Sequence, residues 1–143
     1  MIKLVAFDLD GTIADTIPMC IEAFKQAVSP YASKILSEDD IVKTFGLNEE
    51  GMIKEVVSED WEKALIDFYV TYKEMHTVYI QPFVGIRELI TELKENSIIV
   101  SLITGKGQRS CDITLRHFEW KLFLMISQSG HLIEIQKRNQ CPN

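Results

Sequence analysis

Asp8 and Asp10 stand two residues apart, directly after the apolar run that occupies residues 2–7. If the extended backbone of that run continues, their side chains leave on the same side and the two carboxylates approach each other. Like charges held that close require a cation between them or a proton on one. Carboxylate oxygens so arranged suit magnesium, which binds a few of them together with a substrate phosphate. Gly11 permits a tight turn, and Thr12 offers a hydroxyl and a backbone N–H to an anion. An ordinary acidic turn at a strand end accounts for the same residues. The EF-hand pattern is excluded, because Ile13 stands where that loop needs glycine.

A second polar loop, Thr104-Gly105-Lys106-Gly107, follows the apolar run Ile98–Ile103. Thr104 places a hydroxyl at a strand end, although a Thr-Gly pair there is also a common turn. The stretch from Gly105 to Ser110 does not fit the phosphate-loop pattern G-x-x-x-x-G-K-[ST]. Lys106 and Arg109 read as loop and helix-surface charges that could meet a substrate, and His76, His117 and His131 as scattered structural or solvent-facing residues.

The elements that carry these loops follow from periodicity. Residues 2–7 and 98–103 are predicted as buried strands. Between them, Ile21, Phe24 and Val28 share one helical face, and Leu65, Phe68, Tyr69 and Tyr72 another. Ser37 to Asp40 has capping-box spacing before Ile41, and Gly46 and Gly51 bracket a turn. Pro82 breaks this helical region, after which Ile86, Leu89, Ile90 and Leu93 define an amphipathic helix stopped near Asn96. A further helix is predicted from Gln108 to Phe118, and a strand over Leu122–Ile126. This order implies an α/β fold: a Rossmann-like parallel sheet core, incomplete, with an inserted all-helical cap. The core comprises residues 1–14 and 81–143 and the cap residues 15–80. Both polar loops then lie at the carboxyl ends of the strands, where such folds bind ligands.

Composition narrows the function. The 143 residues suffice for one domain with an insertion, and a net charge of −6 disfavours nucleic-acid binding. No apolar run approaches the roughly 20 residues of a membrane-spanning helix, and the N-terminus lacks a cleavable signal. Cys20, Cys111 and Cys141 form no C-x-x-C pair and are read as free thiols, the first two partly buried. A cytosolic protein is the expectation.

Asp8-Leu9-Asp10-Gly11-Thr12 after an apolar strand resembles the first motif of the haloacid dehalogenase-like hydrolases, in the form used by their phosphatases. The likeness continues through Ile13, Asp15-Thr16, an all-helical stretch, Pro82-Phe83-Val84-Gly85 and the strand ending in Thr104. It covers residues 1 to about 118, and its helical insertion resembles the cap of phosphoglycolate phosphatase-like and β-phosphoglucomutase-like members. The resemblance implies a magnesium-dependent phosphatase acting on a small phosphorylated metabolite. In it Asp8 is the nucleophile that forms an aspartyl-phosphate, and Asp10 is the general acid and then base. Asp8 and the backbone carbonyl of Asp10 hold Mg²⁺. Thr104 holds the phosphoryl group with the amides of Leu9 and Gly105, and Gly11 and Thr12 complete the phosphate site. An acid at Asp10 also implies phosphate chemistry rather than dehalogenation. Met19, Phe45 and Met52 either face the substrate or pack the core.

The sequence departs from the family's pattern near Glu119-Trp120. Ser127-Gln128-Ser129-Gly130-His131 stands where an acidic motif is expected, and Lys137 is the nearest candidate for the family's lysine, with a tail lysine as the alternative. A truncated or frameshifted reading is the expectation here. If the chain is complete, a metal ligand and the lysine are missing, and weak or absent catalysis follows. The rival readings are a non-catalytic binding module of the same fold and a sugar-phosphate mutase.

Overall fold

Two short apolar strands lie side by side at one edge of the sheet. In the computed structural model, which describes residues 1–120, 124–126 and 132–133, β1 (Leu4–Phe7) pairs in parallel with β2 (Ile99–Ile103). Leu4 is opposite Ile99 and Phe7 opposite Leu102. β3 (Leu124–Ile126) runs parallel to β2, and β4 (Leu132–Ile133) pairs antiparallel with β3, giving the order β1-β2-β3-β4. Helices pack against this small sheet, the Rossmann-type α/β arrangement expected from alternating strands and helices. Val100 and Leu102 are buried, while Ile99 and Ile103 stand exposed.

Five helices separate β1 from β2. α1 (Ile17–Val28) opens with a proline in its first turn, where the missing N–H costs nothing, and buries Phe24 and Val28. After a 3-10 turn at Ser29–Tyr31 comes α2 (Glu38–Val42). Its capping box is reciprocal: Asp40 N donates to Ser37 Oγ at 3.2 Å and Ser37 N to Asp40 Oδ2 at 3.0 Å. α3 (Glu49–Val56) starts at Asn48, whose side chain accepts from Gly51 N. Gly51 is therefore inside the helix, and of the two glycines expected to bracket a turn only Gly46, with φ +102°, adopts the left-handed conformation. α4 (Trp61–Tyr79) is followed by α5 (Ile86–Glu95), which ends at Asn96 as its pattern predicts. α6 (Gln108–His117) follows β2.

The helical region leaves and rejoins the α/β part at adjacent points. Phe83 N donates to Ile13 O at 2.9 Å, and Ala14 forms an antiparallel bridge with Pro82.

One apolar cluster runs through helices and sheet together. Phe68, Tyr72 and His76 recur every four residues and so share one face of that helix. Phe24 meets Phe68 edge-on at 5.9 Å between centroids, Phe68 stacks on Tyr72 at 5.4 Å, and Tyr72 meets His76 at 4.4 Å. The polar groups of Tyr72, His76 and Thr114 are matched. His76 Nδ1 lies 2.7 Å from the carbonyl of Tyr72, which only accepts, so this nitrogen carries the proton. His76 Nε2 then accepts from Thr114 Oγ1 at 2.8 Å, and the Tyr72 hydroxyl lies 3.1 Å from the same oxygen. Thr114 Oγ1 is also 3.2 Å from Ser110 O. Thr114 thus ties α4 to α6.

Phe68 is fully buried, so Phe68→Ala is expected to lower unfolding free energy by about 3–5 kcal/mol in urea denaturation. Burial holds the His76 imidazole down to about 4 against an ordinary value of 6.5. The unfolded chain therefore binds the extra proton between those values. The stability contributed by neutral His76 is present above pH 6.5 and is lost as pH falls toward 4. Comparing the stability of the wild type with that of His76→Gln across this window should show the wild type losing on the order of 2 kcal/mol more.

Candidate active site

The turn after β1 is organised around one carbonyl. Leu9, fully buried, accepts at its backbone oxygen from Thr12, Ile13 and Ala14 at 3.3, 3.0 and 3.4 Å, and Gly11 N donates to Ala14 O at 2.8 Å. Gly11 takes φ +77°, which a residue with a Cβ adopts only under strain. This closed turn presents the flanking carboxylates of Asp8 and Asp10. Asp8 is exposed, and its Oδ1 accepts from Leu9 N at 2.7 Å. Asp10 is held twice: Oδ1 accepts from the buried Thr16 hydroxyl, and Oδ2 lies 3.2 Å from Lys106 Nζ.

The loop after β2 supplies the opposite wall. Thr104 is buried, and its Oγ1 accepts from Lys106 N at 3.2 Å, which bends the loop back on itself. The Lys106 side chain is 3% exposed, with Nζ 4.8 Å from the Tyr72 ring centroid and 4.0 Å from Cys20 Sγ. Burial pushes this ammonium toward losing its proton, but the acidic groups around it, Tyr72, Cys20, Asp10 and Glu49, more than offset that and raise its pKa. Burial likewise pushes the Cys20 and Tyr72 groups up, and the Cys111 thiol up to about 12. Both thiols are buried, Cys111 completely, and neither is paired in a disulfide.

These residues enclose a cavity of about 260 Å³. Asp8, Asp10, Thr104, Gly105 and Lys106 form its α/β side, and Ile17, Cys20, Phe45, Gly46, Leu47, Glu49 and Met52 its helical side. The sequence places Lys106 among surface charges; the structure buries it against Asp10, because the loop turns inward at Thr104. Gly11 and Thr12 do not line the cavity, since their amides are committed to the turn, and the Leu9 amide is taken by Asp8. Phe45 and Met52 face the cavity, whereas Met19 packs in the core. Arg109 lies outside it, with its guanidinium 4.4 Å from the Tyr69 ring centroid. His76 is structural. Lys137, His131 and the Ser127–His131 stretch lie outside the described residues.

Sequence reasoning missed Glu49. It is 3% exposed, and its Oε2 accepts from Gly107 N at 2.9 Å, joining the first turn of α3 to the start of α6. In sequence it looks like any acidic residue at a helix start.

The sequence profile of the haloacid dehalogenase-like hydrolases matches residues 5–140. The chain belongs to this family. Among curated members it is similar to a PpaX protein of Caldanaerobacter subterraneus, 26% identical over 118 residues. It is also similar to the pyrophosphatase PpaX of Bacillus mycoides, 22% identical over 115 residues. The matched regions cover 82% and 80% of this chain, which spans about half, 54%, of the length of each relative. Solved structures with the same fold include CbbY from Rhodobacter sphaeroides in complex with phosphate, with a TM-score of 0.74 at 16% identity, covering 94% of this chain and 67% of that one. A hydrolase from Pseudomonas syringae aligns with a TM-score of 0.72 at 20% identity, covering 92% and 62%.

A Cβ at Gly107 would lie 2.1 Å from Glu49 Oε2, while the backbone there, φ −63° and ψ 150°, accepts any residue. Gly107→Ala is therefore expected to break the Glu49 contact without backbone strain. The loss of one buried charge-assisted hydrogen bond should cost about 1–3 kcal/mol in chemical denaturation.

Proposed function

We propose that the chain carries the nucleophile-bearing part of a phosphoric monoester hydrolase acting on a small phosphorylated metabolite. The observation that carries this reading is the meeting of Asp8, Asp10, Thr104, Gly105 and a buried Lys106 on one cavity at the carboxyl ends of two parallel strands. Its size suits a small molecule, and the phosphatase names among structural neighbours point the same way.

In this reading the Asp8 carboxylate attacks phosphorus, the bond to the leaving alcohol breaks, and Asp10 gives that alcohol a proton. Asp10 then takes a proton from water as it attacks the aspartyl-phosphate, which releases inorganic phosphate and restores Asp8. Thr16 and Lys106 aim the Asp10 carboxyl group, and the Thr104 hydroxyl and Gly105 amide hold the transferring oxygens. The donor set suits magnesium: the Asp8 carboxylate and the Asp10 backbone carbonyl offer hard oxygens, and the ion bound there would offset the repulsion between a phosphate dianion and a carboxylate.

Residues 15–80 act as a cap on a core of residues 1–14 and 81–143. The adjacent crossings at Ile13–Ala14 and Pro82–Phe83 support this division. The cap supplies Ile17, Phe45, Leu47, Glu49 and Met52 to the cavity and so selects the substrate. Among the described residues no helix is long and apolar enough to cross a membrane, and the two unpaired thiols suit a cytosolic location.

The test is Mg²⁺-dependent hydrolysis of an aryl phosphate by the chain beside Asp8→Asn. A loss of at least about a thousandfold in kcat/KM is expected, equivalent to about 4 kcal/mol of transition-state stabilisation. Activity that survives the substitution removes Asp8 as nucleophile, and no turnover in either favours a non-catalytic binding module.

A further inference from the structure

Among the described residues, three carboxylates, those of Asp8, Asp10 and Glu49, line the cavity with one ammonium, that of Lys106. Asp8 and Asp10 have assigned chemistry in the phosphatase reading; Glu49 has none. Yet Glu49 is among the most buried acids of the chain, and its carboxylate is fixed at the Gly107 amide, two residues from Gly105.

That location would otherwise attract an anion. Gly107 caps α6, a helix of ten residues whose first turn has no capping side chain and contains no acidic residue. Unsatisfied amides at such an end favour negative charge. The buried ammonium of Lys106 on the adjoining loop residue adds to the attraction. A substrate whose transferring phosphate sits between Asp8 and Thr104, and which carries a second phosphate, would find its best electrostatic partner here. The chain has instead filled the position with its own carboxylate, delivered from α3. A second phosphate would have to expel Glu49 or lie against it, and like-charge contact in a confined site is strongly unfavourable.

We propose that Glu49 restricts the cavity to substrates with a single anionic group by occupying the place a second phosphate would take. The inference rests on the phosphatase reading and narrows its substrate class to monophosphates with an uncharged remainder, against bisphosphates and pyrophosphate. It acts by excluding the wrong ligand rather than by gripping the right one. The helical region thus sets specificity with a buried charge as well as with apolar shape.

The test uses the full chain and two non-hydrolysable probes that differ only in the second anion, propylphosphonate and propane-1,3-bisphosphonate, titrated calorimetrically at fixed free magnesium. The wild type should bind the monophosphonate at least tenfold more tightly than the bisphosphonate. Glu49→Gln keeps the shape and the acceptor for Gly107 but removes the charge. It should improve bisphosphonate binding at least tenfold and leave the monophosphonate within twofold. An unchanged ratio in Glu49→Gln, with binding of both probes weakened by Thr104→Ala, overturns the role of Glu49 and leaves the phosphatase site standing. Binding insensitive to Thr104→Ala, or no binding of the monophosphonate by the wild type, overturns the site reading and this inference with it.

Discussion

A buried ammonium survives in a protein interior only where negative charge and hydrogen-bond acceptors surround it closely enough to replace water. Lys106 meets that condition through groups drawn from separate parts of the chain: Asp10 from the turn after β1, Cys20 from α1, the ring of Tyr72 from α4, and Glu49 from α3 through the neighbouring Gly107. Deleting the Asp10 carboxylate leaves this charge without its ion pair, so the turn after β1 and the loop after β2 constrain each other. The shape of the cavity follows from this. The loop after β2 must fold inward to deliver Lys106, and in doing so it brings Thr104 and Gly105 to the face shared with Asp8. The helical region cannot be rearranged independently either, because three of the groups around the ammonium belong to it.

Much of this arrangement was legible in the sequence, for identifiable reasons. Both strands and the helices α1, α2, α4, α5 and α6 follow from apolar periodicity and caps, since Ser37, Pro82 and Asn96 act through local backbone chemistry that needs no tertiary context, whereas α3 runs through Gly51, where a turn was expected. The family membership was legible for the same reason: the run from Asp8 to Thr12 is contiguous, and so is the strand ending in Thr104. Lys106 and Glu49 were misjudged because their significance is made entirely by long-range contact. A lysine between glycines and an acid at a helix start are ordinary surface residues until folding buries them. The roles of Gly11 and Thr12 were likewise invisible at the level of residue type, since only hydrogen-bond accounting reveals that their amides are consumed within the turn.

Cavity and core also share parts. Tyr72 touches Lys106 with its ring and Thr114 with its hydroxyl, so one side chain belongs to the charged site and to the apolar cluster behind it. Cys20 has a comparable double position on α1. The aromatic succession Phe24, Phe68, Tyr72 and His76 therefore forms a rigid backing for the site.

The contacts of Thr114 close a loop with a direction. The Tyr72 hydroxyl points its hydrogen to Thr114, Thr114 to His76, and His76 back to the main-chain oxygen of Tyr72, so the circuit begins and ends on one residue. The last link cannot run backwards, and it sets the sense of the others. Ser110 O, 3.2 Å away, offers the Thr114 hydrogen one alternative direction. If His76 gains a proton at Nε2, the threonine hydroxyl can rotate toward Ser110 and accept where it formerly donated. A single hydroxyl at the junction of two helices is thereby a rotor with two settings, coupled to the charge on one imidazole.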